Sequence, residues 1–141
     1  MWKIVVLVLL LYSCGPQTLE DYRREGRQSV RSLAKELSCI QTRQDLITAG
    51  PKIKKKFDEL VDLMIASREF YERYPSEEMI PLGEEDREAS DELRQEIERI
   101  GRIQGAEALL AKYQEEALDR LHLFELQIED RKIRKKVISS W

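Results

Sequence analysis

Two cysteines, one histidine and two lysine- and arginine-rich runs are the residues whose types and spacing bear on chemistry. Cys14 directly follows an apolar run, a position where a thiol can be modified or can pair with another thiol. Cys39 borders the apolar positions Leu37 and Ile40, so buried edge packing is expected of it more than an intermolecular disulfide. His122 has no Cys or His at ligand spacing, and no metal site is expected on it. Nucleophile–base pairs of the Ser-His-Asp or Cys-His type cannot be assembled from so few members. The glycines are scattered and form no phosphate-cradling loop. Glu84, Glu85 and Asp86, with Glu88, Asp91 and Glu92, suit a helix N-terminus, and they lack the alternating ligands and glycine of a calcium loop. The expectation is a protein with no catalytic centre and no cofactor.

The basic runs suggest contact chemistry instead. Lys52, Lys54, Lys55 and Lys56 crowd one stretch, and Arg131, Lys132, Arg134, Lys135 and Lys136 crowd another. Both are candidates for an anionic surface: lipid headgroups, a cell-wall polymer or an acidic protein face. The competing expectation is solvated helix ends, neutralised by a neighbouring helix at the first run and favoured by the helix dipole at the second. Trp141, an aromatic beside the second run, suits a membrane interface or a partner's groove. Phe70, Tyr71, Tyr74, Tyr113 and Phe124 are expected to be packing residues. A net charge of −3 gives no reason to expect nucleic acid.

The first fourteen residues are the most specific part of the chain. Met1-Trp2-Lys3 carries one positive charge, and Ile4 to Tyr12 is almost purely apolar. Nine helical residues reach roughly 14 Å, well short of the roughly 30 Å of a bilayer's hydrocarbon. The run therefore fits the removable core of a signal peptide. Leu11-Tyr12-Ser13-Cys14 resembles the lipobox of bacterial lipoproteins, with Leu at −3, a small residue at −1 and then Cys. That resemblance implies cleavage before Cys14 and a diacylglyceryl group on its thiol, with acyl chains such as palmitate often added to the new amine. Gly15 is not the Asp that retains Gram-negative lipoproteins at the inner membrane, so the resemblance implies an outer-membrane protein facing the periplasm. Residues 1–13 would then be the signal and 14–16 a lipidated tether.

The rest of the chain must position any contact surface. The composition is 42% hydrophobic and 36% charged with few Gly and Pro, which suits amphipathic helices with solvated outer faces and one domain over 17–137. Residues 138–141 would form a tail. A stripe through Leu19, Tyr22, Gly26, Val30, Leu33, Leu37, Ile40, Gln44 and Ile47 predicts a helix over about 17–48. Thr18 and Asp21 have the shape of a capping box at its start. Gly50-Pro51 predicts a stop, with a second helix over 51–73 carrying Ile53, Phe57, Leu60, Val61, Met64, Ile65 and Tyr71. A third, long helix over 86–136 is predicted from Leu93, Ile97, Ile100, Ile103, Ala106, Leu110, Tyr113, Ala117, Leu121, Phe124 and Ile128. The expected architecture is all-α: an antiparallel, coiled-coil-like three-helix bundle, or alternatively a long hairpin broken at Gly50-Pro51. Function is expected to be non-catalytic: a lipid-anchored scaffold or protein-interaction module, with self-association as one partner class. Contact with a host or neighbouring cell, or binding of anionic lipid or cell-wall polymer, are the alternatives.

Overall fold

The computed structural model describes Gly15, residues 18–75 and residues 81–141. Cys14, the expected signal segment 1–13 and Pro16 of the expected tether lie outside these residues. Among the described residues four helices follow in order: α1 Leu19–Ser38, α2 Arg43–Arg73, α3 Glu84–Gly101 and α4 Glu107–Ser139. The all-α bundle is as the periodicity predicts. Among the described residues the bundle has four helices rather than three, because the chain turns at 39–42 and 102–106 and runs on through Gly50-Pro51.

The first two helices start from the same local cause. At Thr18 a reciprocal box forms: Asp21 N donates to Thr18 Oγ1 at 3.1 Å, and Thr18 N donates to Asp21 Oδ2 at 3.2 Å. The same chemistry recurs at Thr42 and Asp45, with bonds of 3.1 and 2.9 Å, and this begins α2 well before the predicted stop. Backbone donors at Gln41 and Thr42 hold the Asp45 carboxyl below its ordinary value. Pro51 therefore lies in a helix interior. Proline there frees the carbonyl four residues back, on Ile47. Both residues are exposed, so water can satisfy it. Gly50 is buried against α4, and a Cβ on it would lie 2.6 Å from Tyr113 Cζ. Its job is close approach between helices, not termination.

The predicted long third helix is interrupted by Gly101 and Gly105. Glycine disfavours a helix interior by about 1 kcal/mol relative to Ala. Gly105 goes further and adopts φ +73, a left-handed conformation that side chains resist. The apolar stripe survives the turn because Ile103 and Ala106 still pack on the core.

Contact pairs fix how the helices run. Lys52 meets Glu36, Lys56 meets Ser32 and Tyr22 meets Phe70, so α1 and α2 are antiparallel. Arg43 meets Gly105, Lys54 meets Glu116, Arg120 meets Asp58 and Lys132 meets Glu72, so α2 and α4 are parallel. Arg23 and Arg27 meet Asp86, and Arg99 meets Leu37 and Ile40, so α1 and α3 are parallel as well. The helices lie side by side as α3, α1, α2, α4, while α3 and α4 touch little. The molecule is thus two hairpins laid parallel, α1–α2 and α3–α4, in a register of about 60 residues. Leu37, Ile40 and Gln41 in the first turn have counterparts Ile100, Ile103 and Gln104 in the second, 63 positions on.

Both turns gather at one pole, and there the core is densest. Leu33, Leu37, Leu46, Ile53 and Ile100 are fully buried. Each such side chain contributes about 1.5–3 kcal/mol relative to exposure. The hairpins also cap one another. Arg99 donates to the carbonyls of Ile40 at 2.7 Å and Leu37 at 2.8 Å, satisfying the end of α1. Arg43 donates to Gly105 O at 3.2 Å, holding the second turn.

Candidate functional site

The two basic runs fall in different halves of the molecule and do not form one patch. Lys52, Lys54, Lys55 and Lys56 lie toward the turn pole, and each has a partner. Lys52 meets Glu36 at 2.8 Å, Lys54 meets Glu116 at 2.7 Å, Lys55 meets Glu59 at 3.7 Å, and Lys56 donates to Ser32 Oγ at 2.6 Å. The Glu116 carboxylate bonded to Lys54 raises the amine's pKa, and the same bond lowers that of Glu116. This run knits α2 to its neighbours.

The second run lies at the opposite pole. Lys132 meets Glu72 at 3.3 Å, Arg134 meets Asp130 at 2.8 Å, and Arg131 donates to Gln127 O at 3.4 Å. Among the described residues, Lys135 and Lys136 have no carboxylate partner within 4 Å. Tyr22 and Phe70 stack with centroids 5.5 Å apart near this pole, where α1 begins and α2 ends. The basic end of α4 and the start of α1 therefore share one pole.

α4 carries apolar residues on two opposite sides. One side packs on α2, burying Leu110, Ala117, Phe124 and Ile128. The other faces outward: Leu123, Leu126, Asp130, Ile133 and Val137 follow steps of three and four, with Trp141 just beyond the helix. Leu123 is 58% exposed, Ile133 57% and Val137 52%, and Trp141 is fully exposed. In the sequence this row is masked by the stronger core row along the same helix. Its signal is the same spacing, offset by half a turn.

Two shallow grooves flank α2 at Met64 and Arg68. One, of about 380 Å³, is lined by Leu19, Tyr22, Gly26, Leu60, Met64 and Tyr71 between α1 and α2. The other, of about 540 Å³, lies between α2 and α4 at Leu121, Phe124 and Ile128. Met64, which borders both, is 46% exposed where the sequence pattern places it in the core. Arg23, Ser67 and Arg68 also line the first groove, and Arg68, Glu125, Glu129 and Lys132 also line the second.

Other charged side chains join the helices. Asp86, buried beside α1, accepts from Gly83 N at 2.9 Å, Arg23 Nε at 2.6 Å and Arg27 Nη1 at 3.2 Å. The Arg23 bond chiefly holds its carboxyl below the ordinary 3.8, with Gly83 adding to the effect. The acidic run thus caps α3 and also ties it to α1. Arg120 clamps Asp62 at 2.6 Å and Asp58 at 3.3 Å, and the carboxylates raise its pKa further. Cys39 is a free thiol at the end of α1 and is exposed, correcting the expectation of edge burial. The turn at 39–42 lifts it out of the stripe. Phe70 stacks on Tyr74 at 4.8 Å as well as on Tyr22, an edge of packed rings. Among the described residues no helix is long and apolar enough to cross a membrane, and no His, Cys, Asp or Glu cluster could hold a metal ion.

Comparison with known proteins gives no match to a family model, to a curated protein or to a solved structure.

Proposed function

We propose that this chain is a non-catalytic bacterial lipoprotein, held by acylated Cys14 at the outer membrane and acting on the periplasmic side through protein contacts made by α4. The observation that carries the contact reading is the outward row Leu123, Leu126, Ile133 and Val137, all about half exposed or more. The fold does not need them: α4 already buries its other side on α2. Contiguous apolar surface that a monomer does not cover is a usual mark of an interaction site. The tether reading rests on Leu11-Tyr12-Ser13-Cys14 directly after an apolar run too short to span a bilayer. Two or three acyl chains, at about 0.8 kcal/mol per buried methylene, give stable anchoring.

The contact reading is tested on membranes solubilised in mild detergent. Wild type should migrate in a species larger than the detergent-bound monomer. Leu126→Glu with Val137→Glu should reduce it to monomer size without changing helicity or recovery in the membrane fraction. A wild-type chain that is already monomeric would sink the reading.

A further inference from the structure

We infer that the partner of the outward α4 face is a second copy of this chain, bound antiparallel with its own α4. The inference rests on the proposed contact role of α4 and adds the partner, the polarity and the register.

The face is self-complementary in one orientation only. Its apolar row is interrupted once, by Asp130. A parallel, in-register pair would set Asp130 against Asp130 and the run Arg131–Lys136 against its copy. Like charges facing each other across a seam are destabilising. An antiparallel pair sets Leu126 opposite Val137 of the second copy, Asp130 opposite its Ile133, and Leu123 near its Trp141. That register also brings Glu129 toward Lys136 and Asp130 toward Arg134 of the second copy. The helix supplies both halves of this complement: Glu125, Glu129 and Asp130 lie just before the basic run. A surface that matches itself under a two-fold rotation is what an isologous dimer requires.

A bilayer is the weaker occupant. Arg131, Lys132, Arg134, Lys135 and Lys136 suit an anionic lipid surface, but Glu129 and Asp130 on the same stretch would be repelled by it, whereas a second copy pairs charges of both signs. Reorienting Arg134 from its own Asp130, 2.8 Å away, to that of the second copy costs little, because exposed ion pairs contribute only about 0–1 kcal/mol. Apolar contacts between Leu126, Ile133 and Val137 therefore carry the pairing, and the charges set its direction.

The test is disulfide trapping of the full chain in cell membranes, in a Cys39→Ser background. Leu126→Cys combined with Val137→Cys should give a covalent dimer under mild oxidation, with a 126–137 bond in the peptide map. Each single cysteine should give little. Adding Ile133→Glu should weaken trapping at least about tenfold, since an unpaired carboxylate in an apolar seam is strongly unfavourable. Ile133 is 57% exposed, so that variant keeps the fold, with an unchanged circular dichroism melt as the control. Dimers from either single cysteine would overturn the antiparallel register. Crosslinks to a different protein would overturn the second-copy partner while leaving the contact reading intact. No crosslink from a chain that is also monomeric in detergent would remove both.

Discussion

At Gly50 the ring of Tyr113 occupies the volume a side chain would take, so the contact between α2 and α4 depends on one missing methyl group. Gly50→Ala should destabilise the chain by about 1–3 kcal/mol through overpacking, less the roughly 1 kcal/mol that Ala gains as a helix former. Thermal melts of Gly50→Ala, Tyr113→Leu and the double variant would check this. The double variant should lose less than the sum of the two singles, because the clash is between these two residues. Strict additivity would mean that Gly50 serves no such contact. The residue types at this scale were legible only in part. Thr18 and Asp21 announced their box directly, and Thr42 and Asp45 carry the same chemistry. Gly50-Pro51 competes with that second box as a helix boundary because Gly has two meanings in sequence, helix end or close approach. Only Tyr113, 63 residues away, decides between them.

Between elements, the α1–α3 joint rests at one end on Asp86 with Arg23, Arg27 and Gly83, and at the other on Arg99 with the end of α1. Asp86 makes this joint sensitive to pH. Its folded carboxyl lies below 3.8, so its contribution is complete above that value and is lost as pH falls through the depressed one. Asp86→Asn should therefore melt below wild type at neutral pH, with the gap closing in acid. Paired melts at pH 7 and about pH 2.5 measure it, against an unfolded Asp reference near 3.9. A gap that stays constant would show that Asp86 carries no such coupling. Periodicity read the faces of α3 and α4 well but not their ends. Ile100, Ala106, Leu110, Ala117, Phe124 and Ile128 are buried as the stripe predicts. The break at 102–106 leaves that stripe in phase, so spacing alone could not reveal it. Gly101 and Gly105, four apart, were the available signal.

For the whole molecule, the sequence pattern identified apolar faces without saying which faces meet. An up-down bundle with antiparallel neighbours is the default for short connections. Here α1 pairs with α3 and α2 with α4 in parallel, a choice made by tertiary contacts such as Arg99 with Ile40 and Arg43 with Gly105. The same arrangement separates the basic runs, one toward the turn pole and the other beside the start of α1. It also leaves α4 with an uncovered row running toward the pole where α1 begins. A protein tethered at that pole would hold its α4 contact face close to the membrane. Everything in this placement depends on Cys14 being the anchor. The most direct measurement is intact-mass analysis of the chain expressed in a bacterium, wild type beside Cys14→Ala. The account predicts a wild-type species beginning at Cys14 with added diacylglyceryl and acyl mass, absent from the variant. A wild-type chain cleaved elsewhere, or carrying no lipid, would contradict it.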